Sequence, residues 1–220
     1  MKKVLFLFCT IFLFAFDNSK INTIIISTKN NIAVIDKNVQ KGLTGYVIHN
    51  DMMIAKAESL GNNKAKLLPL VSLKNNALAT PKINPKQNDK IIFGLYNLRG
   101  LIIAPNQYAY LKTKEKYPNI NFISSDIFAT YFNTKPKKED FQRFCTNFNV
   151  GLLDFILDKE YIVDCNSFSV LSTQKNEKDF NYTKPLFTNY KKLNHSLFES
   201  VPNNWITYYK SLFTKDINGN

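Results

Sequence analysis

The sequence predicts an α+β protein: a small N-terminal β-barrel or curled antiparallel sheet, followed by a compact α/β unit and a docking C-terminal helix. Three observations predict it. Between Ile21 and about Gly94, short apolar or alternating segments are punctuated by turn residues. From Arg99 to Asn133, strand, turn and helix signals follow one another without ambiguity. Beyond Pro202, apolar residues recur at helical spacing.

In the first region, INTIIIS and IAVIDK flank a Lys29-Asn30-Asn31 turn, and GYVIH and MMIAKAES flank Asn50-Asp51. KAKLLPL follows Gly61-Asn62-Asn63, and DKIIFGLY follows a looser connection. Five or six short strands at this spacing suggest a small barrel or curled sheet, with Pro69 at an edge or strand end. Leu73 to Asn88, carrying Pro81 and Pro85 among Asn and Lys, is the candidate boundary or exposed loop. The domains read as 21–94, 95–174 and 175–220. With seven glycines in the chain, no segment has flexible-linker composition.

In the α/β unit, Leu101 to Ala104 is a buried strand and Pro105-Asn106 opens a helix. On that helix Tyr108, Leu111 and Glu115 share one face, and Lys112, Lys114 and Lys116 turn towards water. Ile120, Phe122 and Ile123 form a second strand, and Ser124-Ser125-Asp126 caps a helix of Ile127, Phe128, Tyr131 and Phe132. EDFQRFCTNF puts Phe141, Phe144, Cys145 and Phe148 on one helical face. VGLLDFILD and EYIVDC alternate as a hairpin around Asp158-Lys159, and FSVLS closes the region. From Lys175 the chain is polar until Pro202, where Trp205, Ile206, Tyr209, Leu212 and Phe213 form an amphipathic helix expected to dock on the α/β unit.

With 220 residues, 45% of them hydrophobic and 14% aromatic, the chain can bury a core. A formal charge of +12 raises nucleic acid as a partner, but Arg is limited to Arg99 and Arg143 and the lysines are scattered, so none is expected. Lys2 and Lys3 ahead of the apolar run Val4 to Phe16 read as a Sec-type signal at 1–16, too short for the roughly twenty residues a spanning helix needs. Export to the periplasm or cell surface follows, with outer-membrane association and an uncleaved anchor as alternatives. Cys9 falls inside the signal, which leaves Cys145 and Cys165 as an even pair in an oxidising compartment. A disulfide is the economical reading, and two buried reduced thiols are the alternative.

His49 and His195 stand too far apart in sequence to argue a zinc site, and no P-loop, dinucleotide, nucleophile-elbow or H-E-x-x-H signature is present. Ser124, Ser125 and Asp126, with His49, are the most enzyme-like residues, but a helix N-terminus requires such side chains for its orphan N–H groups. No catalytic residue, cofactor, metal or small-molecule substrate is therefore expected.

LIIAPN followed by INFISSD, and then the Cys145 to Cys165 spacing ending in YIVDCNSFSVL, resemble the N-terminal domain of the plasminogen-binding surface proteins of spiral, gut-colonising bacteria. The likeness covers about residues 42 to 171, with fainter echoes at TKPLF and YYKSLF. It implies the family's Cys145–Cys165 pairing and host plasminogen as ligand; a structural envelope component, with other envelope proteins as partners, is the alternative. Lysine-binding pockets recognise a cation and an anion together, as a C-terminal Lys presents them. The chain ends at Asn220 without the family's Lys/Glu-rich tail, so weak binding is expected. Its internal candidates are Lys138, Glu139 and Asp140, or Lys175 with Asp179. Asn181, in the sequon of Asp179-Phe180-Asn181-Tyr182-Thr183, is a glycosylation candidate, with an unmodified loop as the alternative.

Overall fold

The structure is a computed structural model that describes residues 18–70, 83–132, 135–176, 178–189 and 202–213. The expected signal at 1–16, most of the connection from Leu73 to Asn88, and the stretch holding His195 lie outside the described residues.

A chain with seven glycines must build its hairpin turns from other residues. Asparagine does this here, because its short polar side chain tolerates left-handed backbone. Asn30-Asn31 (φ 49° and 60°), Asn50-Asp51 (47° and 60°) and Asn62-Asn63 (51° and 56°) each place two consecutive residues at positive φ. That geometry matches the twist of the strands it joins. The turns connect β1 (Ile21–Lys29) to β2 (Ile32–Ile35), β3 (Thr44–His49) to β4 (Met52–Gly61), and β4 to β5 (Lys64–Pro69). β6 (Lys90–Phe93) pairs with both β3 and β1, closing an antiparallel barrel in the order β1-β2-β5-β4-β3-β6. Closure removes the free edges that an open sheet would present. Ile25, Ala33, Ile35, Val47, Ala57, Ala65, Ile91 and Phe93 are buried among its strands, and Pro69 falls at the end of β5 as expected.

The second sheet is built from β7 (Arg99–Ile103), β8 (Asn121–Ile123), β9 (Leu152–Ile156), β10 (Lys159–Asp164) and β11 (Val170–Lys175), in the order β11-β10-β9-β7-β8. β7 runs parallel to β8 and β9, whereas β9-β10 and β10-β11 are antiparallel hairpins. Four helices cover it: α1 (Gln107–Lys116), α2 (Ser125–Ala129), α3 (Lys138–Phe148) and α4 (Trp205–Phe213). Asn106 caps α1 by accepting from the Ala109 amide, and Ser124 caps α2 by accepting from that of Asp126.

Alternation along these strands sorts their side chains between two layers. Leu101, Ile103, Leu153, Phe155, Tyr161 and Val163 face the aromatic layer of α2, α3 and α4, where Phe141, Phe155, Tyr209 and Phe213 meet in edge-to-face and tilted pairs. Ile102, Leu152, Ile156 and Ile162 belong to a cluster continuous with α1 and the barrel core. α4 docks as expected, burying Trp205, Tyr209 and Phe213. Residues 178–189, which read as merely polar, are also held: Leu186 is fully buried, and the Tyr182 hydroxyl lies within hydrogen-bonding distance of the carbonyls of Ile103 (3.0 Å) and Ile156 (2.8 Å).

Three local expectations are corrected. β9 and β10 form the expected hairpin but do not alternate in burial, because both faces of the central strands are covered. α2 ends at Ala129, short of Tyr131 and Phe132, and leaves Ile127 exposed. On α1 the inward residues are Ala109 and Thr113, with Tyr110 beside Phe187, whereas Tyr108 and Leu111 are exposed. Small side chains let this helix lie close on the sheet, so the smaller of two competing stripes faces inwards.

Two carboxylates interrupt the layer beneath α1. Glu160 accepts from the Lys116 ammonium and the Tyr117 hydroxyl. Asp154 is buried, and its Oδ1 has no hydrogen-bond partner among the described residues. Burial holds the Asp154 carboxyl well above the usual range, the Glu160 charge pushes it the same way, and the Lys116 ammonium opposes both. A carboxyl raised in the folded state contributes stability that is complete below its unfolded pKa of about 4 and is lost as pH rises through the folded value. Asp154→Asn is therefore expected to gain stability over the parent as pH rises from 4 to 8, read by urea unfolding at each pH. A pH-independent difference would refute this account.

Candidate functional site

The barrel and the sheet meet around one buried carboxylate. Asp164, at the end of β10, is fully buried. Its Oδ2 accepts from the Thr44 amide (2.9 Å) and hydroxyl (2.9 Å) at the start of β3. Its Oδ1 accepts from the amides of Asn166 (3.0 Å) and Ser167 (2.9 Å) in the turn that follows. Burial raises the Asp164 carboxyl above its ordinary range, and the hydrogen bonds from Ser167, Thr44 and Asn166 pull it back. Two further bonds close the seam, from the Ser167 hydroxyl to the Gly42 carbonyl (2.6 Å) and from the Gln40 amide to the Leu171 carbonyl (2.6 Å). Gly42 stands at φ +85°, and a Cβ there would overlap the Ser169 side chain, so glycine is required.

On the other side of the same turn, Cys165 forms a disulfide with Cys145 of α3, with Cα atoms 6.0 Å apart. Gln142 adds a hydrogen bond from its amide to the Asn166 carbonyl (2.8 Å). α3, the β10–β11 turn and the outer wall of β3 and β4 thus frame a cleft of about 430 Å³. Its walls include Thr44, Lys56, Ala57 and Leu68 on one side, and Gln142, Arg143, Thr146, Asn147 and Asn166 on the other. Lys56 crosses the cleft, its ammonium donating to Asn166 Oδ1 (3.1 Å).

The sequence candidates take up distinct positions. Lys138, Glu139 and Asp140 open α3, one turn from the cleft wall. The Lys138 ammonium lies 5.3 Å from the centre of the Phe168 ring, Glu139 is exposed, and Asp140 accepts from the Lys137 amide (2.9 Å) and pairs with Arg143 (2.8 Å). Asp140 therefore serves the helix N-terminus, as its position predicts. Lys175, at the end of β11 opposite Lys159, and Asp179 are exposed on another part of the sheet. Asn181 and Thr183 are exposed on either side of the anchored Tyr182. Sequence reasoning missed the pair Lys112–Glu115 (2.8 Å), which lies exposed on α1 between Tyr108 and Lys116. It also missed Asp164 and Lys56; the available signal for Asp164 was an acidic residue inside the apolar run YIVDC.

The enzyme-like residues are not assembled. Ser125 donates to the Phe187 carbonyl (2.6 Å), Asp126 accepts from the Asn189 amide (2.6 Å), and His49 pairs with Asp89 (2.7 Å) at an end of the barrel. No cluster of three or more His, Cys, Asp or Glu suited to a metal occurs among the described residues.

A closed antiparallel barrel joined to a helix-covered sheet along a buried polar seam defines a two-lobed α+β protein. The chain belongs to the family described as plasminogen-binding protein pgbA N-terminal, whose sequence profile matches residues 20–215. It is 30% identical over 185 residues to the plasminogen-binding protein PgbA of Helicobacter pylori strain J99, covering 79% of this chain and 41% of that protein. The PgbA of Helicobacter pylori strain 26695 is likewise 30% identical over 185 residues, with 40% of its length covered. The chain thus spans about two fifths of the length of these relatives. No solved structure matches.

The seam generates two expectations. Asp164→Ala strands the Thr44, Asn166 and Ser167 amides without an acceptor, and chemical denaturation should show a loss of about 3 kcal/mol or more. The cysteines, 20 residues apart, should stabilise the oxidised fold by about 3 kcal/mol, and thiol labelling of unfolded, unreduced protein should find neither of them reactive. Two labels at these positions would exclude the bond.

Proposed function

We propose that this protein is an exported, non-enzymatic binding protein of the bacterial cell envelope whose ligand is host plasminogen. Family membership across residues 20–215 carries the reading, together with the plasminogen binding for which the relatives are named. The structural employment of Ser125, Asp126 and His49 supports a non-enzymatic role. Among internal lysine–carboxylate groupings, Lys112 and Glu115 suit a lysine-recognising pocket best. They are exposed, already paired on one helix face, and adjoin the exposed Tyr108 and Leu111. Asp140 is less suited, since engaging it would break a helix cap. An exposed ion pair must separate before it can bind a new partner, so affinity in this segment is modest.

A second reading, a structural envelope component, draws on Ile24, Ile26 and Val34, exposed together on the β1–β2 wall of the barrel. Protease treatment of intact cells separates the two, since a surface binding protein is cleaved and a periplasmic component is protected.

Equilibrium binding of plasminogen, with and without a lysine analogue, tests the first reading. The expected result is weak, analogue-sensitive binding, reduced about tenfold by Lys112→Glu or by Glu115→Lys, each made singly, and little changed by Lys138→Glu or Lys175→Glu. Absence of binding would move the protein to the structural reading.

A further inference from the structure

We propose that the cleft at the barrel–sheet seam is a binding site for a small organic carboxylate, held by the Lys56 ammonium. This goes beyond plasminogen recognition and does not depend on it.

Lys56 projects from the outer wall of β4, while its neighbours Ala55 and Ala57 point into the barrel. Among the described residues its ammonium makes one hydrogen bond, to the neutral Oδ1 of Asn166. An ammonium carries three donors, and a half-buried one is poorly compensated by a single amide oxygen. The Asp164 carboxylate offsets that burial, but both its oxygens already accept from Thr44, Asn166 and Ser167. Burial lowers the Lys56 ammonium from its ordinary value, and the Asp164 charge offsets this only in part. An under-compensated cation facing a cleft is an anion site waiting for its charge partner.

The surroundings choose the kind of anion. Tyr46, the cross-strand neighbour of Lys56, is a phenol pushed up to about 12 by burial, and so stays neutral. Arg143 at the rim is already paired with Asp140. A single ammonium beside Leu68 fits a singly charged carboxylate with a short apolar chain better than phosphate, which needs more donors. The volume, about 430 Å³, lies within the range of small-ligand sites, and such sites favour the junction between two lobes. The carboxylate belongs either to a free acid or to the C-terminus of a short peptide.

The test is titration of the oxidised protein, followed by amide NMR, with butyrate, uncharged butyramide, inorganic phosphate, and an acetylated dipeptide carrying a free or an amidated C-terminus. Butyrate or the free-ended dipeptide should shift the amides of Ala57, Thr146, Asn147 and Asn166, whereas butyramide, the amidated dipeptide and phosphate should not. Whichever carboxylate binds more tightly identifies the source. Binding should raise the titration midpoint of Lys56, followed by NMR of its side chain, an effect that a merely structural lysine would not show. Lys56→Gln should weaken binding by about tenfold or more, and Lys56→Arg should retain most of it. The proposal fails if neither carboxylate binds, if butyramide matches butyrate, if the shifts map elsewhere, or if Lys56→Gln binds as the parent does. Because the shift map and the Lys56 titration use the unaltered protein, a variant that does not fold leaves the test decisive.

Discussion

The contact between Asp164 and Thr44 organises this molecule. Each lobe completes its own hydrogen bonding almost everywhere else, the barrel by closure and the sheet by its ladders and capped helices. At Asp164, however, one buried carboxylate accepts from both lobes at once. Parting the lobes would cost Asp164 the Thr44 amide and hydroxyl, leaving it only the amides of its own turn. The disulfide and the Gln142–Asn166 bond hold the turn that presents this carboxylate, and Gly42 allows the barrel backbone to approach it. The cleft, with Lys56 crossing it, is a by-product of the same geometry, since its two walls are the groups that the seam fixes.

The sheet makes different use of its two faces. Towards α3 and α4 it is aromatic and apolar, with ring packing as the cohesive element. Towards α1 it carries Asp154 and Glu160, of which Glu160 is answered by Lys116 and Tyr117. Buried carboxyls at Asp154 and Asp164, both shifted upwards by burial, tilt the fold towards acid tolerance. Carboxylates held below their normal range, such as Asp158 with Lys210, favour neutral pH instead, but that pair lies near the surface, where its contribution is screened.

Much of this architecture was legible in the sequence because its signals are local. Paired Asn and Asp residues between alternating segments announced the barrel hairpins, and Asn106 and Ser124 announced their helices. The inward face of α1 was not legible: 108-111-115 and 109-113-117 are both helical stripes, and only contact with β7 selects the smaller set. Asp164 was beyond reach for a related reason, since its partner Thr44 lies 120 residues away and nothing local to YIVDC names it. Lys56 and Arg143 line opposite walls of the cleft at that same unseen seam. Conversely, Lys138 to Asp140 attracted attention as a charge grouping, yet its local chemistry, a helix start, accounts for Asp140.

The asparagine turns also bear on how the chain reaches this state. A turn residue with a side chain leaves the unfolded polypeptide fewer conformations than glycine would, so each hairpin loses less entropy when it forms. Three such hairpins of short sequence separation can therefore zip early, ahead of the pairing of β1 with β6, which must wait for a much longer loop to close. The seam requires both the β3–β4 wall and the β10–β11 turn, so it follows the formation of those two hairpins. In kinetic terms it is a latch, and its strength is felt mainly in how slowly the two lobes come apart.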